Sequence, residues 1–120
     1  MNVYKKPLEK CGENTGFTRN KKCEYNKGDS GKHHVCFKNI SKPIVNDKTF
    51  CSITDQPNWC KNKNNWCVCE WALAKAVDEI GCELIDIDCK GTNYLVIDSY
   101  KNNPKYKKAY DCLKTKCGIF

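Results

Sequence analysis

The sequence predicts a single α+β domain over residues 1–120, with a small, partly antiparallel sheet, one central helix, a C-terminal helix and long disulfide-tied loops. Three observations lead to this class. The length of 120 residues suits one domain. Short runs of strand character stand beside two segments with the periodicity of helices. The 11 cysteines are typical of small scaffolds held together by disulfides.

Two segments of the chain have the composition of long loops. Residues 1–32 are punctuated by glycine and asparagine, and residues 38–65 contain two prolines and a polar run. The first segment cannot bury much core by itself. Loops of this length in a compact domain are usually tied down, so we expect cysteines to anchor both of them.

The clearest regular elements lie between and after these loops. His34–Phe37 and Trp66–Cys69 are candidates for short strands. Glu70–Ile80 has one apolar stripe at helical spacing, with charged residues on the opposite side, which predicts the central helix. Gly81 follows this helix where a left-handed C-terminal cap belongs.

The remaining elements are predicted after this helix. Leu84–Cys89 alternates apolar and polar residues, and residues 90–93 have the composition of a turn. Tyr94–Ser99 is expected to return as the second strand of a hairpin. After Pro104, residues 105–116 are expected to form the C-terminal helix.

The net charge of +7 comes from lysine rather than arginine. Arg19 is the only arginine among 21 basic residues, whereas recognition of bases and phosphates favours the planar arginine fork. We therefore interpret the basic composition mainly as a solvated surface. One stretch keeps nucleic-acid binding open as a second alternative, because its lysines are interleaved with tyrosines that can stack on bases. Its residues are Tyr100, Lys101, Lys105, Tyr106, Lys107, Lys108, Tyr110, Lys114 and Lys116.

The sequence also bears on the compartment. No apolar run approaches the roughly 20 residues of a membrane span, so we expect no membrane partner. The first ten residues lack the apolar region of a signal peptide, so no leader is expected in the chain as it stands. Abundant cysteines without a leader favour an oxidising particle, such as the virion of a large DNA virus. The alternatives are a cytoplasmic protein, or a secreted one whose leader is missing.

Metal binding is an alternative use of the cysteines. Zinc sites usually combine two short C-x2-4-C pairs, and the chain has no C-x2-C spacing. It does carry His33-x-x-Cys36, which gives a candidate ligand set of Cys23, His33, Cys36 and Cys69, or Cys67 in place of Cys69. We favour disulfides and expect neither a metal nor another cofactor. The odd number of cysteines leaves one thiol free or linked to a second chain, as in a homodimer.

One set of residues follows the pattern of a known family. In order along the chain these are Asn2-Val3, Pro7-Leu8-Glu9, Cys11, Thr15-Gly16-Phe17, Arg19, Cys23, Asp29, Gly31, His33, Val35-Cys36, Trp66-Cys67-Val68-Cys69 and Trp71. The chain resembles the mostly bacterial family known as domain of unknown function 2237, best over residues 2–36 and 66–74 and weakly after residue 81. The resemblance implies a fold and carries over no reaction, cofactor or substrate.

The resemblance divides the cysteines into two groups. Five follow the family pattern, namely Cys11, Cys23, Cys36, Cys67 and Cys69. Six look like additions and are disulfide candidates: Cys51, Cys60, Cys82, Cys89, Cys112 and Cys117. We expect these six to pair among themselves, and the five either to form an older site or to contain the odd thiol.

The function expected from these patterns is a non-catalytic, disulfide-stabilised structural or binding module, with the proteins of a particle as partners. The alternative is a thiol- or metal-dependent enzyme in the region of His33, Cys36, Cys67 and Cys69, because a histidine beside a cysteine can activate the thiol. Its candidate catalytic residues are Arg19, Asp29, His33, Cys36 and Cys67, with Arg19 expected to hold an anionic substrate.

Overall fold

The computed structural model describes residues 1–119. Within them the chain forms a two-stranded antiparallel sheet and four α-helices, joined by loops and short 3₁₀ turns. The elements are β1 (Val35–Phe37), α1 (Phe50–Ile53), β2 (Trp66–Val68), α2 (Glu70–Ile80), α3 (Leu95–Lys101) and α4 (Lys107–Cys117). The small α+β fold predicted from the sequence is confirmed. No helix in the described part of the chain has the length and apolar character needed to cross a membrane.

The two strands bring distant parts of the chain together. β1 and β2 are antiparallel, and their register places Cys36 opposite Cys67. A third, irregular segment lies along the other edge of β1. There the Asp88 N–H donates to the Cys36 carbonyl at 2.9 Å, and Ile87 forms an isolated bridge with Phe37. Part of the predicted hairpin therefore lies beside the sheet, but it pairs with β1 rather than with residues further along the chain.

The predicted return strand Tyr94–Ser99 is wrong, because most of this segment belongs to helix α3. Val96, Ile97 and Tyr100 are its buried residues, and they share one side of the helix. β-Branched residues favour strands only through their packing context, so a well-packed helical face outweighs that preference. α3 packs against α4, which begins after a 3₁₀ turn at Pro104–Tyr106.

Helix α2 has the bounds that the apolar stripe predicted, and it buries Leu73, Ala76 and Val77. Its end differs from the prediction. Gly81 has φ 85° and ψ 159°, so the chain leaves the helix in an extended conformation rather than through a left-handed cap. The positive φ still favours glycine at this position.

The helices and the sheet enclose one main apolar core. The rings of Phe37 and Phe50 lie 4.7 Å apart between centroids, which joins β1 to α1. Leu73, Val96 and Leu113 bring α2, α3 and α4 into the same cluster. This core supports the start of α2, where the free thiol of the chain lies.

Five disulfides tie the loops and the C-terminal helix to the core. The six added cysteines are joined to one another as Cys51–Cys60, Cys82–Cys112 and Cys89–Cys117. Four family-pattern cysteines form Cys11–Cys36 and Cys23–Cys67. Each bridge is expected to stabilise the fold by about 2–4 kcal/mol, chiefly by restricting the unfolded chain.

Candidate functional site

Within residues 1–119, Cys69 carries the one free thiol. It follows β2 and is the N-cap residue of α2, so its side chain lies at the positive end of an 11-residue helix. That end of a helix stabilises negative charge and therefore a thiolate when one forms. The residue is half-buried and lines a cleft.

His33 links this thiol to a buried carboxylate. Its Nε2 atom lies 3.2 Å from the Sγ atom of Cys69, and its Nδ1 atom lies 2.7 Å from the Oδ1 atom of Asp29. The second carboxylate oxygen of Asp29 accepts a hydrogen bond from the His33 backbone N–H at 2.9 Å. A thiol, an imidazole and a carboxylate are therefore connected in a row, which is the arrangement used in covalent catalysis by cysteine.

The charge of Asp29 determines which nitrogen of His33 carries the proton. Burial by itself raises the pKa of Asp29, but the backbone and ring hydrogen bonds from His33 outweigh it and hold the pKa below its usual value. An ionised carboxylate can only accept hydrogen bonds. Nδ1 of His33 is therefore the donor, and in the neutral imidazole Nε2 is left as an acceptor that faces the sulfur of Cys69.

The surroundings of Cys69 favour the protonated thiol over the thiolate. Burial raises the pKa of Cys69, and the negative charge of Asp29 raises it further. A contact with the Trp71 side chain and the backbone N–H of Cys69 itself offset this only in part. Loss of the thiol proton therefore needs a base, and Nε2 of His33 lies within hydrogen-bond distance of the sulfur.

A second, buried pair aligns the two segments that carry the site. The Nδ1 atom of His34 lies 2.8 Å from the Oε2 atom of Glu70, and both side chains are almost wholly buried. The Tyr100 hydroxyl also donates to the Glu70 carbonyl at 2.7 Å. Because His34 follows His33 and Glu70 follows Cys69, these contacts hold the base beside the nucleophile.

Gly31 leaves the space that the two reacting side chains occupy. A Cβ atom at this position would lie 3.1 Å from the Sγ atom of Cys69 and 3.0 Å from the Cε1 atom of His33. Both distances are shorter than ordinary van der Waals contact, so any larger residue must displace the imidazole or the sulfur.

The thiol and the imidazole line a cleft of about 570 Å³ whose wall is aromatic and basic. The Arg19 guanidinium lies 5.3 Å and the Lys63 ammonium 4.9 Å from the Trp66 ring centroid. None of the described residues that line the cleft is acidic. The cleft therefore suits a small anionic molecule that can also contact an aromatic surface.

Three of the candidate catalytic residues lie at this site. Arg19 is in the wall of the cleft, and Asp29 and His33 are in the hydrogen-bonded row. The other two, Cys36 and Cys67, are wrong as nucleophiles because each sulfur is bonded in a disulfide.

The structure does not assemble the candidate metal ligands Cys23, His33, Cys36 and Cys69 as a site. Cys23 and Cys36 belong to two different disulfides, so neither offers a thiolate to a metal. His33 and Cys69 do meet, but through their own hydrogen bond. This ligand set is therefore wrong for the oxidised protein.

Sequence reasoning placed Cys69 among the metal ligands and in the region of the alternative thiol- or metal-dependent enzyme, but did not name it among the candidate catalytic residues. One signal was available, because Cys69 directly precedes the predicted helix, and reactive thiols are common at helix N-termini. No sequence signal pointed to Lys63 and Trp66 as the cleft wall or to the pairing of His34 with Glu70, since loop packing alone brings these residues together.

A comparison with protein families finds a match over most of the chain. The model of a family described as "Uncharacterized protein conserved in bacteria (DUF2237)" matches residues 1–102. This confirms the resemblance found in the sequence. No curated protein matches the chain. The matched range contains Asp29, His33 and Cys69, and it ends before α4.

Proposed function

The chain belongs to the DUF2237 family, and from that premise and the geometry of the cleft we propose that it is a thiol-dependent enzyme. Cys69 is the nucleophile, His33 the general base and Asp29 the group that orients His33. One observation carries the proposal: the unbroken row of contacts from the Asp29 carboxylate through both nitrogens of His33 to the free sulfur.

The proposed reaction transfers an acyl group through a covalent thioester. As the sulfur of Cys69 attacks the carbonyl carbon, its proton moves to Nε2 of His33, and Asp29 stabilises the imidazolium that forms. Collapse of the tetrahedral intermediate breaks the bond to the leaving group, which takes the proton from Nε2. A water molecule then gives a proton to Nε2 and attacks the thioester, and Cys69 leaves as the thiol when that proton returns to the sulfur.

The proposed substrates are small acyl compounds with a negative charge. Arg19 and Lys63 supply two positive charges beside the Trp66 ring. A carboxylate or phosphate held between these cations would place the rest of the molecule toward Cys69. A solvent-exposed charge pair of this kind is worth up to about 1 kcal/mol, or about a factor of five in rate or affinity.

The first experiment compares two alkylating probes of similar size, anionic iodoacetate and neutral iodoacetamide. On the non-reduced protein, mass spectrometry is expected to find one label per chain, on Cys69. Arg19→Gln and Lys63→Gln are each expected to lower the iodoacetate-to-iodoacetamide rate ratio by up to about five-fold. Lys108→Gln is the matched control, because Lys108 is exposed on α4 away from the cleft. An unchanged ratio in both cleft variants contradicts the anionic substrate class.

The second experiment tests the reaction itself. Aryl esters and thioesters with acidic acyl groups, such as succinyl and glutaryl, are compared with uncharged acyl groups of equal length. We expect one equivalent of leaving group to be released rapidly per chain, followed by slower turnover. Cys69→Ser and His33→Gln are expected to abolish the burst. A chain whose Cys69 is alkylated normally but which cleaves none of these compounds contradicts acyl transfer.

The five disulfides support a second candidate function, a non-catalytic module stabilised by disulfides. Its proposed partners are the proteins of a particle, and its proposed location is a virion or another oxidising particle. Ten of the 11 cysteines are bonded. Detection of the bridged chain in purified particles would favour this candidate. A chain found with free thiols in the cytoplasm would contradict it.

A homodimer linked through Cys69 would have twice the chain mass on a non-reducing gel.

Nucleic-acid binding through the lysine- and tyrosine-rich stretch is a further proposal. Fewer of its tyrosine rings are available to stack on bases than the sequence suggested. Tyr100 is buried and hydrogen-bonded to Glu70, so its ring is not free to stack on a base. Tyr106 packs against it at 5.4 Å between centroids. A salt titration of DNA binding tests the proposal, because phosphate-driven binding weakens steeply with salt.

A further inference from the structure

Four of the bonded cysteines form a cluster of their own. Cys11, Cys23, Cys36 and Cys67 are buried together, apart from the main apolar core, and none is more than 4% exposed. The six added cysteines differ, because they belong to the main core or pack against its edge. The four clustered residues all follow the family pattern in the sequence.

The sulfurs of this cluster come from two disulfides but lie close to one another. The Sγ atoms of Cys11, Cys23 and Cys67 are all within 4.8 Å of each other, and the fourth, that of Cys36, is bonded to Cys11. Four thiolates around one Zn²⁺ at about 2.3 Å have sulfurs roughly 3.8 Å apart. The sulfurs of Cys11, Cys23 and Cys67 therefore exceed this separation by no more than about 1 Å. That of Cys36 is outside the 4.8 Å group and has to turn toward the other three once its bond to Cys11 is opened.

Hydrogen bonds of the backbone hold this cluster independently of the bridges. Cys36 and Cys67 lie opposite each other in the sheet. The Cys67 N–H donates to the Thr15 hydroxyl at 2.8 Å, and the Cys36 N–H donates to the Thr92 hydroxyl at 3.1 Å. Both threonines are fully buried, so the backbone of Cys36 and Cys67 has anchors other than the sulfur–sulfur bonds.

We propose that the cluster Cys11–Cys23–Cys36–Cys67 has two chemical states: two disulfides under oxidising conditions, and a tetrahedral Zn²⁺ site after reduction. A dithiol is the class of reductant. Each disulfide takes up two electrons and two protons to give two thiols, while one dithiol is oxidised to its disulfide. One Zn²⁺ then binds the four sulfurs and releases the four thiol protons. Four cysteines are the ligand set of closed, structural zinc sites.

The two states give these cysteines a structural use in either kind of compartment. Disulfides persist where the surroundings are oxidising and are rare where thiols are kept reduced. A metal can replace both bridges in the second case, since it also ties Cys11 and Cys23 to the two strands. The inference is independent of the proposed enzyme, because Cys69 is not part of the cluster.

The experiment uses Co²⁺ as a spectroscopic probe for Zn²⁺, with the Cys69→Ser variant of the full chain so that Cys69 cannot act as a ligand. After reduction by a phosphine without oxygen, one Co²⁺ per chain is expected to bind with the intense visible bands of tetrahedral thiolate coordination. One Zn²⁺ should displace it. The non-reduced protein is expected to give no such spectrum, because its sulfurs are bonded.

Two variants separate this site from the other cysteines. Cys36→Ser is expected to weaken Zn²⁺ binding by more than the 10–100-fold that loss of an outer-shell partner costs. The matched control, Cys89→Ser with Cys117→Ser, removes a disulfide outside the cluster and should keep the one-to-one cobalt spectrum. Absence of that spectrum in the reduced Cys69→Ser chain, or its persistence unchanged in the Cys36→Ser variant, overturns the inference.

A second measurement does not depend on how the reduced variants fold. The reduced, zinc-loaded chain is alkylated, and the modified cysteines are identified by peptide mass spectrometry. Zn²⁺ is expected to slow alkylation at the four clustered cysteines and to leave the six added cysteines reactive. Protection spread evenly over all ten, or confined to the added six, contradicts the proposed site.

Discussion

The Nε2 atom of His33 lies 3.2 Å from the Sγ atom of Cys69, although 36 residues separate the two in the chain. The sheet explains how they meet. β1 begins two residues after His33, and β2 ends one residue before Cys69. Since the two strands are antiparallel, the start of β1 and the end of β2 lie at the same end of the sheet. A short pairing of three residues per strand is therefore enough to bring His33 and Cys69 together.

We expect Asp29→Asn to change two measured properties in opposite directions. Burial is the largest cause that raises the pKa of Cys69, and the charge of Asp29 is the second largest. The neutral amide should therefore lower this pKa and move alkylation of Cys69 to lower pH. Loss of the group that orients His33 should slow acyl transfer by about 10²–10⁴-fold.

The pH profile of iodoacetamide labelling and the ester assay measure these two effects of Asp29→Asn. A residue that only stabilised the fold would change labelling and acyl transfer in the same direction. Asp98→Asn serves as the control, because Asp98 is exposed on α3 and should leave both unchanged.

Gly31→Ala is expected to reduce activity at Cys69 more than it reduces stability. The added methyl group would lie about 3 Å from both the sulfur and the His33 ring, so the contact between Nε2 and Sγ must lengthen. We expect at least a ten-fold loss of the ester burst, with a fall of about 1–3 kcal/mol in the free energy of unfolding. Gly28→Ala, in the same loop, tests whether glycine replacement alone has this effect. Equal activities in the two variants would remove Gly31 from the site.

His34→Ala is expected to lower the free energy of unfolding by about 3–5 kcal/mol, because Glu70 would remain buried without its partner. Urea denaturation with the disulfides intact measures this. Replacing both residues with leucine should recover much of the loss, since no buried charge then lacks a partner. A single variant within about 1 kcal/mol of the parent chain would show that the pair is not buried in solution.

Tyr100 is expected to make the fold sensitive to alkaline pH. Burial raises the pKa of Tyr100 well above its usual value, and the nearby charge of Glu70 adds to this. A raised pKa means that the folded chain holds the proton more tightly than the unfolded chain. Its contribution to stability is therefore complete below pH about 10, the ordinary tyrosine pKa, and is lost as the pH rises above it.

The variant Tyr100→Phe tests this dependence. It should cost about 1 kcal/mol at neutral pH through the lost hydrogen bond to Glu70, but its stability should fall less between pH 9 and pH 11. Both chains carry Cys69→Ser, since a free thiolate would exchange disulfides at high pH. Parallel pH curves for the two chains would contradict the prediction.

The sequence predicted those elements whose own residues determine them. The bounds of α2 follow from an apolar stripe along a single helix, and the two strands follow from short β-type runs. Tyr94–Ser99 was misjudged because Val96 and Ile97 suit a strand by type, whereas their burial beside α4 requires a helix. The site depends on loop packing between residues far apart in the chain. The sequence therefore pointed to Arg19, Asp29 and His33 but not to their arrangement around Cys69.

The two disulfides of α4 lie apart from the thiol and its hydrogen-bonded partners. The reacting row lies between residues 29 and 69, within the range that the family model matches. Both bridges of α4 reach back only to Cys82 and Cys89. The C-terminal helix is thus fastened outside the region that holds Asp29, His33 and Cys69. Changes in α4 can therefore alter resistance to heat or proteolysis while these three side chains keep their positions.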